Sequence, residues 1–195
     1  MQQVFSYNGG RKFDVEVMER VYKQKFEVVA CNYDEVPASV EASIPAGGHL
    51  EGNRIGFDAG GSDRKVSAVV NGEVIHSEEV VWFPKINEDP EYHYQGILDS
   101  FRRAAEKMPS VDAIGVSSAG IYIDNEVRVA SLFIKVPQDK FDEKVVDMYI
   151  RAAKEYGDVP LTVANDGDVT ALAGSMSLKS GQVLGIAMGT SEAAG

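Results

Sequence analysis

One segment of the sequence has residue types suited to general-base chemistry, Asn165-Asp166-Gly167-Asp168. It follows Leu161–Ala164, a short run typical of a buried strand, and it precedes an alanine-rich stretch that predicts a helix. A carboxylate placed between a strand's carboxyl end and a helix's amino end lies where open α/β sheets bind ligands. Asp166 is therefore the candidate catalytic base. The alternative is that Asp166 only caps the helix, because Asp is a favoured N-cap residue.

Two turns built from small residues could bind phosphate. The first consists of Gly60, Gly61 and Ser62, and the second consists of Gly189, Thr190 and Ser191. Exposed backbone amides in such turns bind anions, and Asp58, just before the first turn, could hold an accompanying Mg²⁺ directly or through water. A glycine turn with one Asp is more often a simple hairpin. Two such turns with a carboxylate between them favour a phosphate site.

Composition limits the kind of protein. The chain has 195 residues, 44% of them hydrophobic, and a formal net charge of −11, which argues against a nucleic-acid partner. Cys31 is the single cysteine, so no intrachain disulfide is expected, and the three histidines show no zinc-ligand spacing. With neither a secretory leader nor an apolar run of membrane-spanning length in the sequence, we expect a cytoplasmic protein that does not enter a membrane.

Residues 1–50 differ in pattern from the rest and are expected to form an N-terminal extension. Apolar residues at helical spacing predict one amphipathic helix over Phe13–Phe26. A short strand is predicted over Val28–Cys31, and prolines and glycines between Pro37 and Gly48 predict a loop or linker. Such an extension commonly covers another surface of the same molecule or of a dimer partner, so homodimerisation is left open.

The main body, residues 51–180, is expected to be one α/β lobe, and residues 181–195 are expected to begin a second lobe. Three antiparallel strands come first, the last two joined by the Asn71-Gly72 turn signal. The remaining elements alternate between helices and strands. The predicted ranges are strands 55–59, 66–70, 74–82 and 111–117, a helix 91–108, two extended pieces around Asp124-Asn125, a helix 139–156, the strand at Leu161, a helix 169–178 and a strand 181–188.

This order of elements resembles the ribonuclease-H-like lobe of the hexokinase, actin and heat-shock-chaperone superfamily, an actin-like ATPase fold with a mixed sheet and flanking helices. Four motifs are similar to those of ROK-family sugar kinases and repressors. They are the turn Gly56–Lys65, the segment Gly115–Gly120, the segment Asn165–Asp168, and the start of the second turn at Gly189-Thr190.

The resemblance implies phosphoryl transfer from ATP, with Mg²⁺, to a sugar hydroxyl. Asp166 corresponds to the family's base, and Asn165, Asp166, Ala119 and Gly120 correspond to its sugar contacts. Asp58 and the two turns correspond to its phosphate and magnesium site. Departures from the motifs include Ser62 for Thr, the inserted Asp63-Arg64, Asp168 for Asn, and Glu192, whose charge would oppose phosphates.

Two alternatives to a sugar kinase stay open at the sequence level. One is a sugar-binding or regulatory protein that kept the fold without the transfer reaction, and Glu192 and the altered first turn favour it. The other is an actin-like ATPase module, which the Asn165-Asp166 pair disfavours. Family members continue into a second lobe that carries the adenosine site, so we expect residues 1–195 to be an inactive fragment of a kinase.

Overall fold

The structure is a computed structural model that describes residues 1–40, 47–189 and 192–195. The predictions for Thr190 and Ser191, and for part of the predicted linker, therefore lie outside the described residues. The chain divides into two compact units, Met1–Ala46 and Gly47–Gly195. No described helix is long and apolar enough to cross a membrane.

The first unit contains helix α1 (Lys12–Tyr22) and a 3-10 helix at Tyr33–Glu35. The predicted helix was too long, because the chain takes a left-handed conformation at Lys23, with φ of 53°. Phe26 instead packs beside Phe5, with 6.2 Å between ring centroids. The strand predicted over Val28–Cys31 is wrong, since these residues have no strand pairing and the Val28 carbonyl accepts a hydrogen bond from Gln2 Nε2 at 2.9 Å.

The second unit is built on a five-stranded mixed sheet in the order β3-β2-β1-β4-β7. Two further strand pairs, β5-β6 and β8-β9, lie outside this sheet. The strands are β1 (Asn53–Ala59), β2 (Asp63–Val70), β3 (Glu73–Val81), β4 (Ala113–Ser118), β5 (Ile121–Ile123), β6 (Glu126–Val129), β7 (Leu161–Ala164), β8 (Ile186–Met188) and β9 (Glu192–Ala194).

Strand directions bring three strand ends to one edge of the sheet. β1 pairs antiparallel with β2 and parallel with β4, and β4 pairs parallel with β7. The hairpin between β2 and β3 turns at Asn71 and Gly72, which both have positive φ, as the sequence predicted. Because β1, β4 and β7 run in the same direction, their carboxyl ends open on the same side.

Helix α2 (Pro90–Ala105) is the crossover that makes β1 and β4 parallel. Asp89 caps it by accepting a hydrogen bond from the Glu91 amide at 3.0 Å. Its buried residues, at helical spacing, pack on one face of the sheet, where the Phe101 ring meets the edge of Phe57 at 5.5 Å between centroids. This core fixes β1 and β4 side by side.

The single helix predicted over 139–156 is two helices, α3 (Gln138–Lys144) and α4 (Met148–Lys154). The helix is interrupted where the Val146 carbonyl accepts a hydrogen bond from the Val127 amide of β6 at 2.9 Å, instead of one from its own helix. Before these helices, β5 and β6 form a hairpin through Asp124 and Asn125, both with positive φ. The predicted turn there is confirmed.

Helix α5 (Asp166–Leu178) follows β7 directly and begins three residues earlier than predicted. The strand predicted over 181–188 is confined to β8, which pairs with β9 rather than joining the main sheet. The β8-β9 pair lies against the start of α5. A side-chain carbon added at Gly167 would come within 2.7 Å of the Ala194 amide nitrogen.

Candidate functional site

A cleft with a volume of about 460 Å³ opens at the edge where β1 and β4 end. It brings together residues that the sequence analysis selected from distant segments: Asp58, the Gly60–Ser62 turn, Ala119, Asp166 and Gly189. Residues that were not selected complete the lining, namely Ala59, Asp63, Lys65, Ser117, Ser131, Leu132, Val169, Thr170, Ala187 and Met188. Both candidate chemical groups, a carboxylate base and an anion-binding turn, thus face one space.

Asn165 and Asp166 have different positions at the start of α5. Asn165 is the N-cap, since its Oδ1 accepts a hydrogen bond from the Gly167 amide at 2.8 Å. Asp166 is the first helical residue, and its Oδ1 accepts a longer bond from the same amide at 3.2 Å. The alternative that Asp166 is there as the N-cap is therefore wrong. Its carboxylate lines the cleft at the positive end of the helix dipole.

Asn165 also ties the helix to the segment after β4. Its Nδ2 donates to the Gly120 carbonyl oxygen at 2.8 Å. Gly120 has a φ of 151°, and an added side-chain carbon would lie 2.9 Å from the Ala130 side chain, so a larger residue is excluded there. Ala119 lines the cleft next to this bond. Asn165 keeps one amide hydrogen and one lone pair for a ligand after making both contacts.

The first turn presents its carbonyl oxygens to Trp82. The indole Nε1 donates to the Gly60 oxygen at 2.8 Å and to the Asp63 oxygen at 3.1 Å, and the Trp82 amide donates to the Ser62 oxygen at 3.1 Å. Among the described residues, no backbone carbonyl accepts a hydrogen bond from the amides of Gly61 and Ser62. The donors that a phosphate needs are available in this turn.

Asp58 offers one partly exposed carboxylate to a magnesium ion. Its side chain is 44% exposed, and the Lys65 ammonium lies 3.9 Å from Oδ2. Within the described ranges, no group of three or more His, Cys, Asp or Glu residues could hold a metal ion. Mg²⁺ usually takes one or two carboxylates and completes its shell with phosphate oxygens and water, so a single Asp beside a phosphate turn fits Mg-ATP.

The hydroxyl groups of Ser118, Tyr122 and Tyr149 lie close to one another, and the Asp166 and Asp58 carboxylates act on the two phenols. The Ser118 hydroxyl donates to the Ala59 carbonyl at 3.2 Å. Burial and then the Tyr149 hydroxyl raise the pKa of Tyr122 well above its usual value, and the Asp166 carboxylate adds to this. Burial likewise raises the pKa of Tyr149, and the nearby Ser118 and Tyr122 hydroxyls oppose part of that rise, although neither makes a hydrogen bond of good geometry to it within the described part of the chain. Both phenols are therefore neutral, and neither is a base.

One wall of the cleft, formed by Ser131 and Leu132 of a 3-10 helix at Ser131–Phe133, was not predicted from the sequence. Buried His93 holds this wall, since its Nε2 lies 3.1 Å from the Leu132 carbonyl and 3.0 Å from the Pro84 carbonyl. His93 had been set aside for lack of metal-ligand spacing. Its position on the buried face of α2 was the signal that it contacts the interior.

Lys65 and Asp63 were not predicted as cleft residues, because the sequence pattern placed them in an enlarged turn. Asp63 and Lys65 are residues of β2, and Lys65 pairs in register with Asp58. Residues directly opposite each other in an antiparallel pair point to the same face, so the register of β1 and β2 places Lys65 beside Asp58. Arg64 has the opposite orientation and binds Asp99 of α2 at 2.7 Å. The inserted pair is therefore regular strand.

The second turn is described only at its borders. Gly189 lines the cleft, and Thr190 and Ser191 are outside the described residues. Glu192 is exposed and pairs with Met188 in the β8-β9 hairpin. Glu192 is not among the described residues that line the cleft.

Comparison with known proteins identifies the fold. No family model and no curated protein matches the sequence. Among solved structures, a polyphosphate/ATP-glucomannokinase from Arthrobacter sp. strain KM is 21% identical, with a TM-score of 0.56 over 74% of this chain and 57% of that one. A glucokinase from Parabacteroides distasonis is 17% identical, with a TM-score of 0.53 over 75% of this chain and 44% of that one.

A ROK hexokinase from Thermus thermophilus is 18% identical, with a TM-score of 0.50 over 73% of this chain and 46% of that one. The expected α/β fold, a mixed sheet with flanking helices as in ROK-family sugar kinases, is confirmed. This chain spans about half the length of the solved structures it matches.

Proposed function

We propose that the chain carries the phosphate and base half of a sugar-kinase site, which transfers a phosphoryl group from Mg-ATP to a sugar hydroxyl. The observation that supports this proposal is the common cleft of Asp58, the Gly60–Ser62 turn and Asp166. An anion-binding turn with a carboxylate supplies a phosphate site. A second carboxylate across the same space supplies a proton acceptor for the attacking hydroxyl.

In this proposal Asp166 accepts the proton of the sugar hydroxyl. A carboxylate suffices as the acceptor, because the proton can leave late in the transfer. The Asn165 amide hydrogen left after its bond to Gly120 orients the sugar, and the Ala119-Gly120 backbone borders it. Holding the acceptor in line contributes most of the rate.

The amides of Gly61 and Ser62 hold the phosphates in this proposal. Gly189 lines the same cleft, and the sequence-based expectation that Gly189, Thr190 and Ser191 form a second phosphate turn is kept as part of the proposal. Asp58 would bind Mg²⁺, which neutralises charge on the phosphate oxygens when it is present. The carbonyl bonds to Trp82 keep the first turn oriented with its amides available, so little reorganisation is needed when a phosphate binds.

One alternative keeps the fold and a ligand but has no transfer reaction. The observation that favours it is the Lys65 ammonium 3.9 Å from Asp58 Oδ2, because this positive charge would compete with a magnesium ion for the carboxylate. Such a regulatory or sugar-binding protein would bind the sugar without hydrolysing ATP and without transferring a phosphoryl group to the sugar.

The experiment is a coupled ADP assay on the complete gene product that contains residues 1–195, with a panel of hexoses and amino sugars. Sugar-dependent ADP release supports the kinase. Sugar binding measured by calorimetry, without ADP release for any member of the panel, supports the regulatory alternative. The 195-residue chain alone is the second sample, and we expect it to release no ADP, because a closed cleft with an adenosine pocket is needed for transfer.

A further inference from the structure

The side chain of Asn125 takes the place of a strand at the outer edge of the main sheet. Its Nδ2 donates to the Leu161 carbonyl oxygen at 3.0 Å, and its Oδ1 accepts from the Val163 amide at 2.8 Å. Leu161 and Val163 belong to β7, which is the last strand in the described order of the sheet. A carbonyl and the amide two residues later are the pair that a parallel neighbouring strand would bind, so one amide side chain satisfies both.

The orientation of Asn125 depends on the β5-β6 turn. Asp124 and Asn125 both have positive φ, 54° and 64°, a region that Asp and Asn enter more readily than other side chains. The hairpin is held independently by the Val127 amide, which donates to the Val146 carbonyl oxygen at 2.9 Å, and Val127 is fully buried. The hairpin thus has an anchor of its own, and Asn125 ties β7 to it.

A second bond ties the same hairpin to the start of α5. Asn165 Nδ2 donates to the carbonyl oxygen of Gly120 at 2.8 Å, and Gly120 directly precedes β5. Gly120 is confined, because an added side-chain carbon would lie 2.4 Å from the Val129 carbonyl oxygen at the end of β6. The hairpin is therefore bonded at its tip to β7 and at its start to the N-cap of α5. Asp166 directly follows the second of these bonds.

These contacts fix the position of β7 along β4, and the position of Asp166 follows from it. β7 pairs parallel with β4, with Leu161 opposite Ile114 and Val163 opposite Val116. A strand that is bonded along one edge only opens more readily, and the residue at its end moves with it. Proton transfer requires an acceptor within hydrogen-bond reach, and a displacement of about 1 Å can cost about 10²-fold in rate. A small shift of Asp166 is therefore enough to lower turnover.

We propose that Asn125 is a positioning residue for Asp166: its side chain completes the edge of β7 and so sets where the Asp166 carboxylate lies in the cleft. Asn125 is not among the described residues that line the cleft, so it acts through β7 and not on a ligand. Its effect on turnover rests on the proposed function, in which Asp166 is the base. Its effect on the position of α5 does not, so the two can fail separately.

Three variants of the complete gene product separate the two bonds from the turn that carries them. Asn125→Gly keeps the positive φ and loses both bonds to β7. Asn125→Asp keeps an acceptor for the Val163 amide and places a carboxylate oxygen, which cannot donate, against the Leu161 carbonyl oxygen. Asp124→Gly is the matched control, because it changes the neighbouring position of positive φ, whose side chain is exposed, and leaves Asn125 in place.

Hydrogen exchange followed by NMR tests the positions of β7 and α5. The Val163 amide reports its own bond to Asn125, and the Asn165 side-chain amide reports the contact between α5 and Gly120. In Asn125→Gly both should exchange about tenfold faster than in the unaltered protein, the size expected for one lost hydrogen bond. Asp124→Gly should leave both rates within about twofold of those of the unaltered protein.

Sugar-dependent ADP release measures the consequence for Asp166. Asn125→Gly and Asn125→Asp should lower kcat about 10–100-fold and leave KM for Mg-ATP within about twofold, because the Gly60–Ser62 turn follows β1 and not β7. In an Asp166→Asn background, Asn125→Gly should lower turnover by no more than about twofold, because the group that Asn125 positions is already absent. Thermal melting shows which variants are folded. If Asn125→Gly does not fold, Asn125→Asp carries the kinetic comparison and the comparison of exchange at Asn165.

Three outcomes would overturn the proposal: exchange at Asn165 within about twofold of the unaltered protein in folded Asn125→Gly, equal losses in Asp124→Gly, or losses from Asn125→Gly and Asp166→Asn that multiply. Faster exchange at Asn165 in a protein that phosphorylates no sugar would support the positioning and remove the kinase proposal. Unchanged exchange in a protein that does phosphorylate a sugar would remove the positioning and leave the kinase in place.

Discussion

Asn165 and Asp166 are adjacent in sequence, and the structure gives them separate tasks. Asn165 uses its side chain to cap α5 and to hold Gly120, and Asp166 directs its carboxylate into the cleft. The sequence motif predicted both as site residues, but it could not tell which one caps the helix. Which residue caps the helix depends on the backbone conformation, because the cap is the last residue with an extended backbone before the helix begins, and that residue is Asn165.

Residues whose role comes from long-range pairing were the ones that sequence reasoning missed. Lys65 lies beside Asp58 only because β1 and β2 pair in one particular register. His93 contacts Leu132, 39 residues away, through a buried bond. Local patterns place a residue on a face of an element, but they do not say which other element faces it.

At the scale of single residues, we predict that Gly61→Val weakens ATP more than sugar. A β-branched side chain on the turn would block the approach of a phosphate to the Gly61 and Ser62 amides, and the sugar contacts lie elsewhere in the cleft. Separate titrations with Mg-ATP and with the sugar measure the two affinities. Equal losses of both ligands would instead indicate general misfolding.

Tyr149→Phe is predicted to keep or increase the free energy of unfolding. The Tyr149 hydroxyl is fully buried and makes no hydrogen bond of good geometry among the described residues, although the Ser118 and Tyr122 hydroxyls lie near it. Its removal therefore costs at most a weak contact and relieves a desolvation cost of about 1–3 kcal/mol. Urea unfolding measures the change. Tyr149→Leu is the comparison that should destabilise, because it removes the buried ring. A clear loss of stability in the Phe variant would show that the hydroxyl has a bound partner.

At the scale of elements, the main sheet and its crossovers could be read from the sequence, and the breaks between helices could not. Alternating and apolar runs gave the strands that became β1 to β4 and β7. The helix predicted over 139–156 was divided because a carbonyl in its middle bonds to β6. The strand predicted over 181–188 was shortened because β8 pairs locally with β9. The first error comes from a tertiary hydrogen bond and the second from a local hairpin, and periodicity alone predicts neither.

The contact between α5 and the β8-β9 pair gives an element-scale prediction. Gly167→Ala should lower stability by about 1–3 kcal/mol, because the new methyl group meets the backbone of Ala193 and Ala194 at less than 3 Å, and backbone cannot rotate away. The small helix-propensity gain from Ala is outweighed by this overlap.

Thermal unfolding measures the effect of Gly167→Ala, and Gly181→Ala is the matched control. An added carbon at Gly181 meets nothing within 4 Å, so this variant should stay within about 0.5 kcal/mol of the unaltered protein. An increase in melting temperature for Gly167→Ala would mean that the β8-β9 pair does not pack on α5 as described.

At the scale of the whole molecule, acid stability is predicted to depend on Asp99, which joins α2 to β2. Burial raises the pKa of Asp99, but hydrogen bonds from Arg64 at 2.7 Å and Arg103 at 2.9 Å outweigh it and hold the pKa below its usual value. A carboxyl with a lowered folded pKa stabilises the protein above its unfolded pKa of about 3.9 and loses that contribution as the pH falls further.

We therefore expect the free energy of unfolding to fall more steeply below about pH 4 in the unaltered protein than in Asp99→Asn. At neutral pH the variant should be the less stable of the two. Urea titrations at a series of pH values measure both statements. Parallel curves for the two proteins would show that the Asp99 contacts contribute no pH-dependent stability.

Asp166→Asn is the direct test of the proposal that a phosphoryl group is transferred in this cleft with Asp166 as the base. The assay is sugar-dependent ADP release by the complete gene product, with Asp168→Asn as the matched control, because both carboxylates lie in the first turn of α5. We predict that Asp166→Asn lowers turnover about 10²–10⁴-fold with sugar affinity retained, and that Asp168→Asn does not. Turnover of Asp166→Asn within about threefold of the unaltered protein, or equal losses in both variants, would contradict the claim.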